Sequence, residues 1–229
     1  MKSLSVLLLS IAINCQAQFF VQQLDQMQVQ NPTGFYLITN EGDTVRGILR
    51  GVSYTNSLIS ALTVKVGDEK SNYKVADVMK LAIIPGEDAK YEDIALGKVL
   101  QNIDNDEFIK VLPDNGWIFF ERIQLPGKQE RYQLAQLLNP GFDSKIKVYA
   151  HPDASSTGST SISGITVGGA LDNQHYVALA GERPFVIDDF RYRKLAQERL
   201  YTDCTLLTEQ KLKWKDFAEH VFNYDQKCD

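Results

Sequence analysis

The chain has 229 residues, of which 44% are hydrophobic, and its formal net charge is −5. This length and composition suffice for a packed core in one domain or in two small ones. The acidic balance argues against a nucleic-acid-binding protein, because such proteins carry a basic patch or stripe on one surface. No nucleic-acid partner is therefore expected.

Residues 1–17 have the pattern of a secretory signal peptide. Lys2 supplies one positive charge, an apolar run follows at residues 4–13, and Ala17 is a small residue suited to the last position before cleavage. We expect cleavage between Ala17 and Gln18. The apolar run is shorter than the roughly 20 residues that span a bilayer. No second run of that kind follows, so no transmembrane span is predicted.

Cys15 offers an alternative, in which it is the acylated first residue of a lipoprotein anchored to a membrane. Such sites resemble one another in having Gly, Ala or Ser before the cysteine, whereas this chain has Asn14. Cleavage after Ala17 is the favoured hypothesis, and it predicts a secreted or periplasmic protein. It leaves Cys204 and Cys228 as an even pair in an oxidising compartment, so a disulfide is predicted between them. The alternative is two free, buried thiols.

A β domain is expected over residues 34–187, after a glutamine-rich lead-in at residues 18–33 that is extended or loosely helical. The domain opens with a hairpin over residues 34–50, in which residues 40–43 supply the turn. A strand with apolar residues at period two and two short strands are predicted next, at residues 58–66, 72–75 and 81–84.

A second hairpin is indicated by the turn residues 113–116, Pro-Asp-Asn-Gly, since Pro presets its backbone angle and Asn and Gly tolerate positive φ. Its strands would be residues 108–112 and 117–122. A helical turn is predicted at residues 134–138 and another strand at 145–150. Many short strands separated by turns predict an α+β, mainly β protein: an antiparallel sandwich, roll or small barrel followed by a short C-terminal helical region.

Residues 153–173 differ from the rest of the domain because Ser, Thr and Gly dominate their composition. A mobile surface loop is predicted, since such segments bury too little apolar surface to offset their ordering entropy. The alternative is a binding loop or lid. The strands on either side, residues 145–150 and 174–179, should lie close together because the loop must bridge their ends. A hairpin is expected between residues 174–179 and 184–187.

Residues 188–229 predict a helical region packed on the β domain. Asp188 or Asp189 can cap a helix that continues to Tyr201. Apolar residues spaced three and four apart between positions 214 and 225 predict a final amphipathic helix. The predicted disulfide would tether the end of that helix, where chains otherwise tend to fray.

Several segments resemble, in the same order, those of a group of uncharacterised exported bacterial proteins. They are GFYLITNEGDTVRGILRG (34–51), LLNPGFDSKIKVYAHPDAS (137–155), HYVAL (175–179), LYTDC (200–204) and NYDQKC (223–228). The resemblance covers most of the chain that would remain after cleavage. It implies export and a shared fold, and it carries over no activity, cofactor or site residue.

No catalytic residue, metal site or cofactor is assigned. The sequence contains no H-E-x-x-H zinc motif, no phosphate-binding G-x-x-x-x-G-K-[ST] loop and no calcium-loop pattern. Asp216, His220 and Tyr224 are four residues apart and so share one face of the final helix. That face could hold a metal with a further ligand from elsewhere, although a solvated face is the favoured interpretation.

Two further candidate sites are an acid–base cluster and a sugar-stacking platform, made respectively of Asp188, Asp189 and His175 and of Trp117, Phe119 and Phe120. Helix capping accounts for the two aspartates without any catalytic role. Aromatic residues in a hairpin more often belong to the core of a sheet. Both candidates are therefore alternatives to simpler structural roles.

The hypothesis that best fits the sequence is a non-enzymatic envelope or interaction module, with an envelope protein or a glycan as its partner. One alternative is a hydrolase whose site lies beside residues 153–173. Another is a small-ligand or glycan binder that uses exposed aromatic side chains. Convergent polar groups in a closed pocket would favour the enzyme, and a flat apolar patch would favour the module.

Overall fold

The protein is an α+β, mainly β molecule, with 42% strand and 24% helix in its computed structural model. The structure describes residues 20–21, 23–86, 116–154, 160–162, 165–167 and 174–228, and for residues 160–162 and 165–167 it describes the backbone alone. The predicted fold class is confirmed. The predicted signal peptide, its predicted cleavage site and Cys15 lie outside the described residues.

The described residues form thirteen strands and four α-helices. The strands are β1 (Gly34–Thr39), β2 (Thr44–Arg46), β3 (Ile48–Thr55), β4 (Leu58–Val66), β5 (Glu69–Lys74), β6 (Val78–Ile84), β7 (Ile118–Gln124), β8 (Tyr132–Gln136), β9 (Ile146–Ala150), β10 (Thr160–Ile162), β11 (Ile165–Val167), β12 (Gln174–Leu179) and β13 (Phe185–Asp188). The helices are α1 (Gln26–Gln30), α2 (Asp189–Leu195), α3 (Thr205–Thr208) and α4 (Phe217–Lys227). A π-helical turn, Ala196–Leu200, continues α2, and a 3₁₀ turn, Trp214–Asp216, precedes α4.

The larger sheet is antiparallel and curls into a half-barrel. Its strands follow the order β2-β1-β6-β7-β8-β4-β3, with β5 paired to β4. Strands β2 and β3 stand at the two ends of this path, yet a single residue, Gly47, separates them in sequence. The sheet must therefore curl far enough for its two end strands to come together at Gly47. Only a glycine fits there, because a Cβ atom would lie 2.4 Å from the carbonyl oxygen of Lys65.

The inside of the curled sheet is apolar, and strand β4 shows why the sequence folds this way. Leu62 and Val64 are fully buried, whereas Thr63 and Lys65 between and after them are partly exposed. This period of two turns one face of the strand toward the core. Fifteen buried residues form that core: Leu24, Val29, Phe35, Leu37, Leu49, Ile59, Leu62, Val64, Val75, Val78, Leu81, Ile83, Ile118, Phe120 and Leu134.

The lead-in segment contributes helix α1 and two of those core residues. Asp25 caps α1 by accepting a hydrogen bond from the backbone N–H of Gln28, and the Gln28 side chain accepts one in return from the N–H of Asp25. The backbone N–H of Leu24 donates to the side-chain oxygen of Gln136 at 2.8 Å, which fixes the segment to β8. The lead-in is thus an integral part of the fold.

A second sheet has three antiparallel strands in the order β13-β12-β9. Ala150 of β9 lies opposite His175 of β12, so the strands on either side of residues 153–173 are paired as predicted. The sheet is buried on both faces. One face contacts the curled sheet through Tyr149, Tyr176 and Ala178. The opposite face contacts the C-terminal helices through Ile146, Val148, Val177 and Ile187.

The C-terminal helices are attached to the β domain by hydrogen bonds as well as by apolar packing. The carboxylate of Asp225 accepts bonds from the backbone N–H and the hydroxyl of Ser144, at 2.9 and 2.6 Å. Cys204 and Cys228 are bonded as a disulfide, with Cα atoms 5.4 Å apart, in agreement with the cysteine count. These contacts hold the end of α4 against the segment that leads into β9.

Asn139 has a comparable structural role in the segment before β9. Its side-chain amide is fully buried and donates to the carbonyl oxygens of Phe142 and Ile146, both at 2.8 Å. Its side-chain oxygen accepts the backbone N–H of Val148 at 2.8 Å. The segments around Asn139 and Asp225, which carry part of the resemblance noted above, therefore serve the fold.

Two predicted elements differ from the structure, and a third lies outside the described residues. Residues 134–138 are not a helical turn, because they lie largely in β8. That strand is buried on both faces, between the core of the curled sheet and the second sheet, so it lacks the alternation that marks a strand. The predicted partner of β7, residues 108–112, lies outside the described residues, and β7 pairs with β6 and β8. Residues 153–173 include the paired strands β10 and β11.

Candidate binding cleft

A polar cleft of about 290 Å³ lies where three segments of the chain meet. These segments are the β3–β4 turn, the β7–β8 connection and the adjoining ends of β9 and β12 beside residues 153–173. We call it the His151 cleft and define it by Asn56, Ser57, Arg131, His151, Asp153 and Tyr176, which line it together with apolar residues. The pairing of β9 with β12 brings His151 and Tyr176 together across more than twenty residues of sequence.

The β3–β4 turn places a strained residue at the cleft. Asn56 and Ser57 have φ values of 50° and 60°, in the left-handed region. A two-residue hairpin turn of this hand suits the twist of the flanking strands, and its second position is usually glycine. Asn tolerates the conformation, whereas Ser57 adopts it against its steric preference. Local strain of this kind is enriched at functional sites.

His151 presents a defined hydrogen-bonding pattern to the cleft. Its ring lies against the ring of Tyr176, with centroids 4.4 Å apart. The backbone N–H of Asp153 donates to Nδ1 of His151 at 3.1 Å, so in the neutral ring the proton resides on Nε2. Burial lowers the pKa of His151, and the negative charge of Asp153 opposes that shift in part. The neutral ring can therefore donate one hydrogen bond through Nε2–H, and its acceptor nitrogen, Nδ1, is already used.

Tyr176 lies under the influence of two opposite charges. Burial raises the pKa of its hydroxyl, Asp153 raises it further, and Arg131 lowers it. The hydroxyl is therefore protonated and can donate a hydrogen bond. Neither the Arg131 guanidinium nor the Asp153 carboxylate forms an ion pair with the described part of the chain. The cleft thus combines an available cation, an available carboxylate and two uncharged donors.

A larger cleft of about 580 Å³ lies at another part of the boundary between the two sheets. Lys147 is ion-paired with Asp143 there, and Arg122, Lys145 and Arg183 donate hydrogen bonds to backbone carbonyl oxygens. Glu121 accepts hydrogen bonds at one oxygen from Lys147 and from the Tyr149 hydroxyl, at 2.7 and 2.8 Å. Burial, followed by the charge of Glu121, raises the pKa of Tyr149. Arg199 pairs with Glu182 at 2.5 Å. These contacts join neighbouring elements and leave the His151 cleft as the better candidate site.

The predicted acid–base cluster does not assemble. Asp188 caps helix α2 and also binds the guanidinium of Arg191 at 2.6 Å, and this hydrogen bond lowers the pKa of Asp188. His175 is on the helix-facing side of β12, where burial lowers its pKa to about 3 and neither ring nitrogen has a hydrogen-bond partner. Its neighbours are the rings of Phe20, Trp214 and Phe217.

The predicted metal-binding face is occupied by hydrogen bonds. The hydroxyl of Tyr192 contacts Nδ1 of His220 at 2.5 Å, and the hydroxyl of Tyr224 donates to Asp203 at 2.7 Å. Asp216 lies 3.9 Å from the ammonium of Lys215. Within the described residues, no group of three or more His, Cys, Asp or Glu side chains is arranged to hold a metal ion.

The predicted aromatic platform is divided between environments. Phe120 belongs to the core of the curled sheet, and Phe119 packs beneath the ammonium of Lys80 at 4.4 Å. Trp117 contacts the ring of Tyr36 with centroids 5.1 Å apart. The three rings therefore do not form one flat surface.

The sequence contained only a partial signal for the His151 cleft. His151 lies just before the Ser/Thr/Gly segment and Asp153 is its first residue, and the hydrolase alternative places a site beside this segment. Arg131 and Tyr176 belong to no recognisable motif. Tyr176 reaches the cleft through the pairing of β12 with β9, and Arg131 reaches it from the β7–β8 connection of the other sheet. A search for related proteins adds no assignment, since no family model, curated protein or solved structure matches the chain.

Two general properties bear on where the protein resides. The Cys204–Cys228 pair indicates an oxidising compartment, in which disulfides persist. Across the ranges that the structure covers, no helix has both the length and the apolar character needed to cross a bilayer.

Proposed function

We propose that the chain is an exported, non-enzymatic binding module and that the His151 cleft is its binding site. The signal-peptide pattern of residues 1–17 supports export, and so does the disulfide, because exported proteins pass through oxidising compartments. Intact-mass measurement and N-terminal sequencing of the exported protein test this part. A chain that begins at Gln18 is expected, and one that begins at an acylated Cys15 would contradict it.

The observation that carries the binding role is the set of unpaired polar groups in one concave site. Arg131 and Asp153 form no ion pair with the described residues, whereas the charged side chains of the larger cleft are engaged either in ion pairs or in hydrogen bonds to backbone carbonyl oxygens. Convergent polar groups in a cleft, with titratable residues shifted by burial, are typical of ligand sites. The tautomer of His151 supports binding over catalysis, because Nε2–H is a donor and cannot act as a general base.

A hydrolase is the second candidate because one observation favours it. Ser57 lies on a strained turn in the same cleft as His151, and nucleophilic serines often occupy strained turns. Catalysis would require Nε2 of His151 to accept the serine proton, the reverse of the observed hydrogen-bonding pattern. Turnover of small esters that is lost in Ser57→Ala would overturn the binding proposal in favour of the hydrolase.

The binding proposal is tested by retention of small molecules. The exported protein is immobilised, exposed to a small-molecule extract of the cell envelope, washed and analysed by mass spectrometry. The double variant Arg131→Gln/Tyr176→Phe should lose the ligands that the wild type retains. Arg50→Gln is the matched control, since Arg50 is an exposed arginine on β3 that does not line the cleft. Identical retention by all three proteins would contradict the assignment of the site.

A further inference from the structure

We infer that the group recognised in the His151 cleft is a single carboxylate whose molecule also carries a hydroxyl or ammonium donor. This inference rests on the proposed function and specifies the chemistry of the ligand. It follows from the sign, number and type of the free polar groups around the cleft.

The cleft provides three donors suited to a carboxylate. The Arg131 guanidinium presents paired N–H groups that match the two oxygens of a carboxylate, and such charge-assisted bonds are the stronger kind. The protonated hydroxyl of Tyr176 and the Nε2–H of His151 are further donors. A carboxylate has only acceptors, with about four lone-pair positions, so it can satisfy all three donors at once.

Asp153 limits the charge of the ligand. Asp153 lines the cleft together with Arg131 and Tyr176, and its negative charge contributes to the raised pKa of the Tyr176 hydroxyl. A doubly charged phosphate would be repelled by Asp153, because like charges at short distance are unfavourable. A hydroxyl or ammonium hydrogen on the ligand would instead be accepted by Asp153. The arrangement therefore fits a monocarboxylate with a donor at its other end.

The size of the cleft limits the ligand further. Its volume of about 290 Å³ is at the lower limit of small-molecule sites, which span roughly 300–1,000 Å³. One sugar acid or one amino acid is of suitable size. Both carry a carboxylate beside a hydroxyl or ammonium group, and they are distinguished by experiment.

The test is NMR titration of the exported protein with glucuronate, alanine, glucose and inorganic phosphate, observed at the resonances of His151, Asp153 and Tyr176. Glucuronate or alanine should bind, and whichever binds more tightly identifies a sugar acid or an amino acid as the source of the carboxylate. Glucose and phosphate should bind at least about tenfold more weakly. Arg131→Gln should weaken carboxylate binding by about tenfold or more, and Arg50→Gln should leave it unchanged.

Each other outcome overturns a defined part of the assignment. Glucose that binds as tightly as glucuronate, with loss in Arg131→Gln, would refute the carboxylate and preserve the cleft as the binding site. Phosphate that binds more tightly than both carboxylates would refute the single charge. Failure of both carboxylates to bind would refute the inference. The location of the binding site is tested independently by the retention of envelope ligands described above. Carboxylate binding that is unaffected by Arg131→Gln would refute the inferred recognition of the carboxylate by Arg131.

Discussion

Phe20 packs edge-to-face against the buried ring of His175, with ring centroids 5.6 Å apart. The same Phe20 side chain contacts Phe142 and Phe217, and the backbone N–H of Val21 donates to the carbonyl oxygen of Leu138. Phe20 comes only three positions after Ala17, where cleavage is predicted. The chain is therefore part of the C-terminal core almost from the first residue of the proposed exported form.

Substitution Phe20→Ala should destabilise the protein by about 3–5 kcal/mol, the usual effect of truncating a buried phenylalanine. The reason is that the side chain is 4% exposed and fills a space bounded by other rings. Urea unfolding measures the change. Phe190→Ala is the matched control, because that phenylalanine is 94% exposed, and its effect should stay within about 0.5 kcal/mol. Equal effects of the two substitutions would contradict the burial of Phe20.

Substitution His175→Phe should stabilise the protein and reduce its sensitivity to acid. Both ring nitrogens of His175 are buried without partners, so an apolar ring of similar shape removes an unmet hydrogen-bonding cost of about 1–3 kcal/mol. Burial also holds the pKa of His175 near 3, against about 6.5 when exposed. As pH falls through this window, the unfolded chain binds a proton that the folded protein does not, and stability declines.

Urea unfolding between pH 7 and pH 4 measures this difference. The wild type should lose more stability over that range than His175→Phe does. A residual slope is expected in the variant, since burial also lowers the pKa of His151 and of His220. Parallel pH dependences for the two proteins would show that His175 is not titrated on unfolding in the manner described.

Substitution Gly47→Ala should disturb the bend at which β2 continues into β3. A Cβ atom at this position would lie 2.4 Å from the backbone oxygen of Lys65, which cannot move as a side chain would. We expect a loss of stability of about 1–3 kcal/mol, typical of steric overpacking. Gly42→Ala is a useful comparison, because it has open space around it but a φ of 90°. A smaller loss of stability for Gly47→Ala than for Gly42→Ala would argue against the close approach of Gly47 to the backbone of Lys65 in β4.

The parts of the fold that follow from local chemistry could be predicted from the sequence. The turn at residues 40–43 indicated the β1–β2 hairpin, and apolar spacing indicated α4. Strand β8 could not be recognised, because burial on both faces removes the alternation that distinguishes a strand. The lead-in was predicted to be extended or loosely helical, and the position of helix α1 within it could not be assigned, because five residues leave little periodicity to detect.

The candidate site was less predictable than the fold. His151 and Tyr176 meet because β9 and β12 pair, and Arg131 joins them from the connection between two strands of the other sheet. No spacing in the sequence encodes that meeting. The tautomer of His151 depends on a single hydrogen bond from the backbone N–H of Asp153, and the sequence does not reveal this bond.

Replacement of residues 155–173 by a Gly-Ser linker of equal length should leave the melting temperature within about 2 °C of the wild type. The strands on either side, β9 and β12, are held by their own register over five residue pairs, from His175–Ala150 to Leu179–Ile146. Strands β10 and β11 pair with each other and form a sheet separate from the other two. An equal length keeps the closure entropy of the connection nearly constant.

Differential scanning calorimetry measures stability, and the glucuronate and alanine titrations measure binding on the same samples. Retained stability with lost binding would show that the segment supplies ligand contacts. A large fall in melting temperature would instead show that Ile162, Ile165 and Val167 contribute to the core, contrary to the prediction.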